Sequence, residues 1–324
     1  MVSVIIPNYN KARFISQTII SVINQSYRNW ECLIIDDNSN DNSIEVIKNK
    51  IKDDCRFKLF INKNNKGGSY SRNIGLKNCK NKYVLFLDSD DVLALNCLEK
   101  RIKFISKKEK LDFAVFPMGT FYNKIGDSKL IWNKFHGNHK IRFLKHDLPW
   151  HTMMVLWNRN SLDKINGFDD RYLRLQDVEL HTRALINEFK YEICINSVVD
   201  SYFRIDDVRI NTSHRVFLEK KIKGVTRYVN DFSKTLINEG DYYSIKYLKG
   251  PYFIMLSEIH YSYNSKKINY SDKSILISIL QFNFKGSEIF NKYDLLILRF
   301  YNFIKKSNVK VRGLNNFTKK MLIR

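Results

Sequence analysis

Three carboxylates close one apolar run. Tyr83-Val84-Leu85-Phe86-Leu87 leads directly into Asp88, Ser89, Asp90 and Asp91. Like charges this close repel and raise one another's pKa unless a cation lies between them. Three readings compete. As turn chemistry, Asp and Ser after a strand often cap the next helix, which accounts for Asp91 but leaves Asp88 and Asp90 redundant. As a calcium loop, the stretch lacks the glycine and the distant glutamate of an EF-hand. As a divalent site for a bound diphosphate it fits, because magnesium or manganese accepts one or two carboxylates and completes its shell with phosphate oxygens and water. Alternate residues of an extended segment point to opposite sides, so Asp88 and Asp90 reach one ion only where the chain turns. A second acidic pair, Asp36-Asp37, closes the apolar run "WECLII". A third group lies in "LQDVELHTR". On a helix its Asp177 and Glu179 stand ~200° apart, so only one can face a given ligand.

The elements around these acids alternate. Residues 2 to 6, "VSVII", form a near-continuous β-branched run, the pattern of a strand buried on both faces. Phe14, Ile15, Ile19, Val22 and Ile23 then recur at helical spacing. "WECLIIDD" reads as a second strand, "NSIEVIKNKIKD" as helix, "RFKLFIN" as a third strand and "KNNKGGSYSRNIGLKNCK" as a Gly-rich turn entering a helix. The strand ending in Asp88 follows. Four such alternations predict a parallel, doubly wound sheet in three layers. Ligands bind such sheets outside the carboxyl ends of the strands. Both acid clusters lie at such ends and are expected to converge on one crevice. The middle of the chain is less regular: "DFAVFPM" and "TMMVLWN" read as strands, and "INGFDDRYLRLQDVELHTRALINEF" as a turn and a helix. From about residue 215 helical patterns rich in Lys, Tyr and Ile take over.

Composition limits the class. With 324 residues and 44% hydrophobic content the chain can bury a real core. It carries 55 Lys+Arg against 33 Asp+Glu, a formal charge of +22, which implies an anionic partner or an A/T-rich coding sequence. Nucleic acid fits poorly, since its phosphates would meet carboxylates at the strand ends. Cys32, Cys55, Cys79, Cys97 and Cys194 form no CxxC pair, so neither a disulfide framework nor a cysteine zinc site is signalled. Reduced thiols point to the cytoplasm. "MVSVIIPNYN" reads as a strand and not as a signal peptide, and no apolar run approaches the ~18 residues of a membrane span. After Asp294 no acid remains, while Arg299, Lys305, Lys306, Lys310, Arg312, Lys319, Lys320 and Arg324 interleave with apolar residues. That pattern suits the surface of an anionic membrane, or a helix that packs on the rest of the chain with its lysines in water.

Four segments in this order, "SVIIPNYNKARFISQTIISVINQSYRNWECLIIDDNSNDNS", "SRNIGL", "FLDSDD" and "NGFDDRYLRLQDVELHTRA", resemble the family 2 glycosyltransferases of the GT-A fold. The resemblance covers roughly residues 2 to 210. It implies a GT-A catalytic domain over residues 1–210, Rossmann-like and mainly parallel. Its nucleotide-sugar half would span about 1–110 and its acceptor half about 111–210, with a helical, basic region at 211–324. It implies inverting, metal-dependent transfer of a sugar from a nucleotide-sugar to a glycan or lipid-linked glycan in surface polysaccharide (O-antigen or capsule) synthesis, at the inner face of the plasma membrane. Residue by residue, Pro7, Tyr9 and Asn10 would border the base, and Asp37 would accept from its imide N–H, favouring uracil. Arg72 would meet the diphosphate or ribose. Asp88, with Ser89 beside it, would contact the ribose or the metal, Mn2+ or Mg2+. Asp90 would be the main metal ligand in the family's DxD motif. Asp177 would be the catalytic base, in a motif usually written Glu-Asp where Gln176 stands here. Glu179 is the rival. Asp206 replaces a histidine that can complete the metal shell, and Arg204 would approach the diphosphate. On the acceptor side, Trp150 could stack on a sugar, His151 lies where such enzymes line the acceptor pocket, and His181, one helical turn after Asp177, could touch the acceptor or the base. A nucleotidyltransferase, or a non-catalytic nucleotide-sugar-binding homologue, is the alternative.

Overall fold

The structure, a computed structural model, describes residues 1–108, 110–205, 213–285, 289–306 and 313–323. The chain divides into two compact units, Met1–His139 with Leu148–Asp207, and Lys140–Asp147 with Val208–Arg324.

The first unit opens with β1 (Val2–Asn8), α1 (Ala12–Ile23), β2 (Trp30–Asp36), α2 (Ser43–Ile51), β3 (Phe57–Ile61), α3 (Gly68–Asn78) and β4 (Tyr83–Phe86). Then come β5 (Val92–Leu93), α4 (Cys97–Ile105), β6 (Phe113–Val115), β7 (Met118–Phe121) and β8 (Ile131–Trp132). The short helix α5 (His139–Leu144), which apart from His139 belongs to the second unit, precedes β9 (Val155–Asn158), α6 (Arg159–Lys164), α7 (Gln176–Ile186), β10 (Tyr191–Ile193) and β11 (Ser201–Arg204) of the first.

The seven-stranded sheet has the order β10-β6-β9-β4-β1-β2-β3. β1 pairs parallel with both β2 and β4, and Val2, Val4, Ile5 and Ile6 are wholly buried, as a strand covered on both faces requires. α3 lies close against β1 because Gly75 has no side chain; a Cβ there would stand 2.4 Å from Ile5 Cγ2. The fold is thus mixed α/β on a mostly parallel sheet, with helices following in the second unit. One strand breaks the parallel rule. β9 runs antiparallel to both β4 and β6. Of "TMMVLWN" only Val155–Asn158 pairs, and Thr152–Met154 form a 3-10 turn. "DFAVFPM" also divides. Pro117, which has no N–H to give a ladder, falls between β6 and β7, and the two strands join different sheets.

The second sheet, β5-β11-β7-β8, was not anticipated from sequence. It hangs on a buried ion pair. Arg101 of α4 donates from Nε and Nη2 to Asp200 at 2.9 and 2.6 Å, and from Nη1 to the Met153 carbonyl at 2.7 Å. A wholly buried guanidinium is tolerable only when its donors are met in this way.

The second unit is helical: α8 (His214–Asn238), α9 (Tyr242–Ile245), α10 (Lys249–Asn264), α11 (Tyr270–Lys285), α12 (Lys292–Lys306) and α13 (Leu314–Leu322). Leu218, Ile222, Val225, Leu256, Ile259, Leu276 and Leu280 supply its apolar core. Lys249 and Asp294 pair at 2.7 Å, nearly buried, and His260 Nε2 lies 3.0 Å from Asn302 Oδ1. Among the described residues no helix is long and apolar enough to cross a membrane.

Candidate active site

The strand ends build the site from the β1–β2 edge outward. Asn10 sits at a left-handed φ of 52°, a conformation Asn tolerates better than most residues. Its Oδ1 accepts from the Asn40 amide at 2.9 Å, which fixes the turn after β2. Pro7 is half-buried in β1, and Tyr9 leaves its ring 44% exposed. Asp36 is wholly buried and serves the same turn, accepting from Asn8 Nδ2 and Ser39 Oγ, both at 2.7 Å.

Asp37 is held by the protein around it. Its Oδ1 accepts from Asn62 Nδ2 at 2.8 Å and from the Lys66 amide at 2.9 Å, and its Oδ2 from the Gly67 amide at 2.6 Å. Both oxygens that were expected to read a base imide are committed to protein donors. What they hold is the Gly-rich turn, where Gly67 takes φ +92° as α3 begins.

Arg72 stands one turn into α3 and is 7% exposed. Its Nη2 donates to Asp88 Oδ1 at 2.5 Å and its Nη1 to Gln176 Oε1 at 2.7 Å. Gly68 keeps the space open, since a Cβ there would fall 2.9 Å from Arg72 Nη1 and 3.1 Å from Gln176 Oε1. The next residue, Asn73, clamps the loop before α7 through the Phe168 carbonyl and Asp170 Oδ1, each at 2.8 Å. One helix therefore joins β4 to the start of α7.

The three acids of the β4 turn have three different environments. Burial acts to raise the Asp88 carboxyl, but the Arg72 guanidinium, with His151 and Lys11, outweighs it and holds the group below the usual carboxylate range. Asp90 Oδ2 receives Lys11 Nζ at 2.5 Å, with side chains 22% and 33% exposed. Asp91 is fully buried, and burial, then Asp90 and Asp88, push its carboxyl well above the usual range. It caps no helix; its Oδ1 accepts from the Arg204 amide at 2.8 Å, and α4 starts only at Cys97. Ser89 is buried, with its carbonyl accepting from Thr18 Oγ1 at 3.0 Å.

Arg204 is likewise tied into the protein. Its guanidinium donates to the Asp90 carbonyl at 2.9 Å, the Tyr122 carbonyl at 3.1 Å and Gln17 Oε1, over the rings of Phe14 and Phe121. It ties the backbone of the acidic turn. Asp206 lies outside the described residues.

Asp177 occupies the first turn of α7, which Leu175 enters at φ 64°. Its carboxylate is 22% exposed, and His151 Nε2 lies 3.9 Å from Oδ2. The rival Glu179 is 4% exposed and paired with Arg183 at 2.6 Å. Arg183 also donates to the Ile165 and Gly167 carbonyls, so that pair braces the loop. Trp150 and His181 lie in the core. Both are fully buried. The His181 ring stacks on Trp157 at 5.8 Å, and Trp150 packs among Phe113, His139, His181 and Tyr191, so neither ring meets an acceptor at the surface. Burial, only partly offset by Asp177, drops the His181 pKa to about 3 and keeps the ring neutral.

Among the described residues no group of three or more His, Cys, Asp or Glu is arranged to hold an ion. Asp88 and Asp90 nonetheless suit a divalent cation: both are partly exposed carboxylates at one strand end, hard oxygen donors for an ion that brings its remaining ligands as phosphate oxygens. Lys11 was missed from sequence. One lysine among 55 basic residues gives no local signal, and its partner stands 79 positions away.

A mostly parallel sheet with acids at its carboxyl ends, and a carboxylate helix joined to them, is the arrangement of the GT-A fold. The family model of glycosyl transferase family 2 matches residues 3–164, half of the chain, and the chain belongs to that family. Among curated proteins it is similar to the UDP-Glc:alpha-D-GlcNAc-diphosphoundecaprenol beta-1,3-glucosyltransferase WfgD of Escherichia coli, 37% identical over 146 residues, 45% of this chain and 54% of WfgD. The match spans 42%, 54% and 15% of the length of the first three curated relatives. In structure it is similar to Staphylococcus aureus TarS 1-349 in complex with UDP-GlcNAc, with a TM-score of 0.66 at 16% identity over 99% of this chain and 90% of TarS 1-349. The mannosyltransferase PcManGT of Pyrobaculum calidifontis, in complex with GDP-Man and Mn2+, gives 0.56 at 11% identity over 99% and 84%.

Proposed function

We propose that the chain is an inverting, metal-dependent transferase that moves one sugar from a UDP-sugar to a hydroxyl of a glycan or lipid-linked glycan during surface polysaccharide synthesis. One observation carries the reading. A single guanidinium, Arg72, spans from Asp88 to Gln176, the residue before Asp177. The turn that carries the β4 acids and the start of α7 are thereby tied together by one side chain. The donor class follows WfgD, whose name describes a UDP-sugar donor and a lipid-diphosphate acceptor.

The proposed division of labour is as follows. Asp88 and Asp90 would hold a divalent ion, Mn2+ or Mg2+, which supplies neutralisation of the charge growing on the leaving diphosphate. Arg72 anchors Asp88 and presents positive charge beside the phosphates. Asp177 takes the proton of the acceptor hydroxyl as that oxygen bonds to the anomeric carbon. The bond from that carbon to the phosphate oxygen breaks with its electron pair on the nucleoside diphosphate, and the configuration inverts. His151 lies beside the base, with Nε2 3.9 Å from Asp177. The deciding experiment measures UDP-sugar binding and transfer separately. Asp90→Ala should abolish Mn2+-dependent donor binding, whereas Asp177→Ala should bind and fail to transfer. Retention of anomeric configuration in the product rejects the mechanism.

The second unit supports an anionic membrane surface as partner. Tyr293, Leu296, Phe300 and Phe303 recur at spacings of three and four along α12 and are all exposed, with Lys292 and Arg299 exposed beside them. Apolar residues flanked by cations suit a helix lying in a lipid headgroup layer.

A further inference from the structure

The acidic turn is already neutralised from within. Asp88 is matched by Arg72 and Asp90 by Lys11, each at 2.5 Å, while burial of Asp91 disfavours its charge. The two cations differ in what they can do next. Arg72 is fixed at both ends and nearly buried, whereas Lys11 Nζ has Asp90 as its ion-pair partner and a side chain one-third exposed. The Lys11 backbone is anchored through its amide to Ser43 Oγ at 2.9 Å, so the residue stays while its flexible stem can swing. A lysine ammonium donates three hydrogen bonds and accepts none, so it serves a carboxylate or a phosphate equally.

We propose that Lys11 is a tethered counter-ion that holds Asp90 against free divalent ions and yields it only when the ion arrives with a diphosphate. This rests on the reading of Asp88 and Asp90 as the donor's metal site. A bare ion must evict Lys11 into water and recovers little, because an opposite charge already lies on the carboxylate. An ion carrying a diphosphate offers the displaced ammonium a new anion a short swing away. Metal and nucleotide therefore bind together, and the site does not load with metal alone.

The test is equilibrium binding of Mn2+ to the full chain, followed by loss of the free-ion electron paramagnetic resonance signal, with and without UDP and against a protein-free Mn2+–UDP control, with UDP binding read separately by calorimetry. The wild type should bind Mn2+ weakly alone and at least about tenfold more tightly with UDP. Lys11→Gln should bind Mn2+ alone about tenfold more tightly than the wild type, the scale of one charge-assisted hydrogen bond removed from competition. It should also lose most of the enhancement by UDP. Lys11→Arg, which keeps the charge, should stay within about threefold of the wild type. A Lys11→Gln protein that binds Mn2+ alone no more tightly than the wild type overturns the proposal. The Mn2+-alone arm judges Lys11, and the UDP arm judges the proposed function, because a chain that binds no UDP at any Mn2+ concentration is not a UDP-sugar transferase. Lys11 is not a core residue, and matching circular dichroism melts will separate a binding change from misfolding.

Discussion

Arg72 holds Gln176 with one nitrogen, at 2.7 Å, and Asp88 with another, at 2.5 Å. A planar fork can serve two acceptors at once; a lysine in its place can serve one. Arg72→Lys should therefore leave the chain folded but free either the β4 turn or the start of α7. The expected result is a fall of about 10- to 100-fold in UDP release with acceptor, the scale of two charge-assisted bonds made one. Steady-state kinetics on the purified variant checks it, and turnover within a factor of two of wild type refutes it.

Asp37 predicts a structural defect. Its carboxylate accepts the amides of Lys66 and Gly67, donors with no other described partner in the turn. Asp37→Asn sets an NH2 group against N–H groups on at least one side. Leaving a buried donor unmet costs about 1–3 kcal/mol. The variant should lose that much stability in urea unfolding and should show faster amide exchange at Lys66 and Gly67. An unchanged midpoint with lost UDP affinity would instead restore a direct role in base recognition.

His181 sets a pH dependence. Its pKa in the folded chain is about 3, below the ordinary value, so the unfolded chain binds a proton that the folded chain refuses. Stability from this group is complete above about pH 6.5 and is lost as pH falls below it. Between pH 6.5 and 5 the loss is about 2 kcal/mol. His181→Phe, which keeps an aromatic ring against Trp157, should flatten that part of the curve. Urea midpoints at pH 7 and pH 5 for both proteins give the comparison.

The exposed stripe on α12 predicts lipid binding. The full chain should co-sediment with vesicles containing phosphatidylglycerol and not with phosphatidylcholine alone, and raised salt should release it. Phe300→Ser with Phe303→Ser removes apolar contact, and Arg299→Glu reverses a charge. Each should cut co-sedimentation by about tenfold or more, the scale of two buried aromatic rings or a reversed charge at the surface. Equal binding to neutral vesicles argues against an electrostatic component.

Much of the first unit was legible because its strands are nearly continuous apolar runs. Val2 to Ile6, Trp30 to Ile35 and Tyr83 to Phe86 can bury both faces only in the middle of a parallel sheet, and acids at their ends mark its carboxyl edge. The short strands were not legible. Val92–Leu93 and Ile131–Trp132 are two residues each, too brief for any periodicity, and the reversed direction of β9 depends on partners far along the chain. Side-chain surroundings were not legible where long-range pairing decides them. Arg204 looks like a phosphate ligand until Asp90, Tyr122 and Gln17 are found around it. Trp150 looks like a sugar platform until Phe113, His139 and Tyr191 cover it. The β4 acids did call for positive charge, as their spacing implied; that Lys11 and Arg72 supply it inside the chain needed the fold.

Gly68 offers the most economical test of the Arg72 bridge. It is the first residue of α3, where a glycine is not needed for an unusual backbone, since only Gly67 takes a positive φ there. Alanine is the better helix former, so Gly68→Ala should be neutral or slightly stabilising for the helix itself, by up to about 1 kcal/mol. The added methyl, however, would stand 2.9 Å from Arg72 Nη1 and 3.1 Å from Gln176 Oε1, closer than carbon approaches either atom comfortably. The guanidinium must move, and its bonds to Asp88 and Gln176 lengthen together. Stability and activity should therefore separate: a melting temperature within about 3 °C of wild type, and transfer reduced about tenfold or more, as one charge-assisted hydrogen bond is worth. Serine should behave as alanine does, because the added atom occupies the same place. If both variants transfer sugar at the wild-type rate, the bridge between the β4 acids and α7 plays no part in the chemistry.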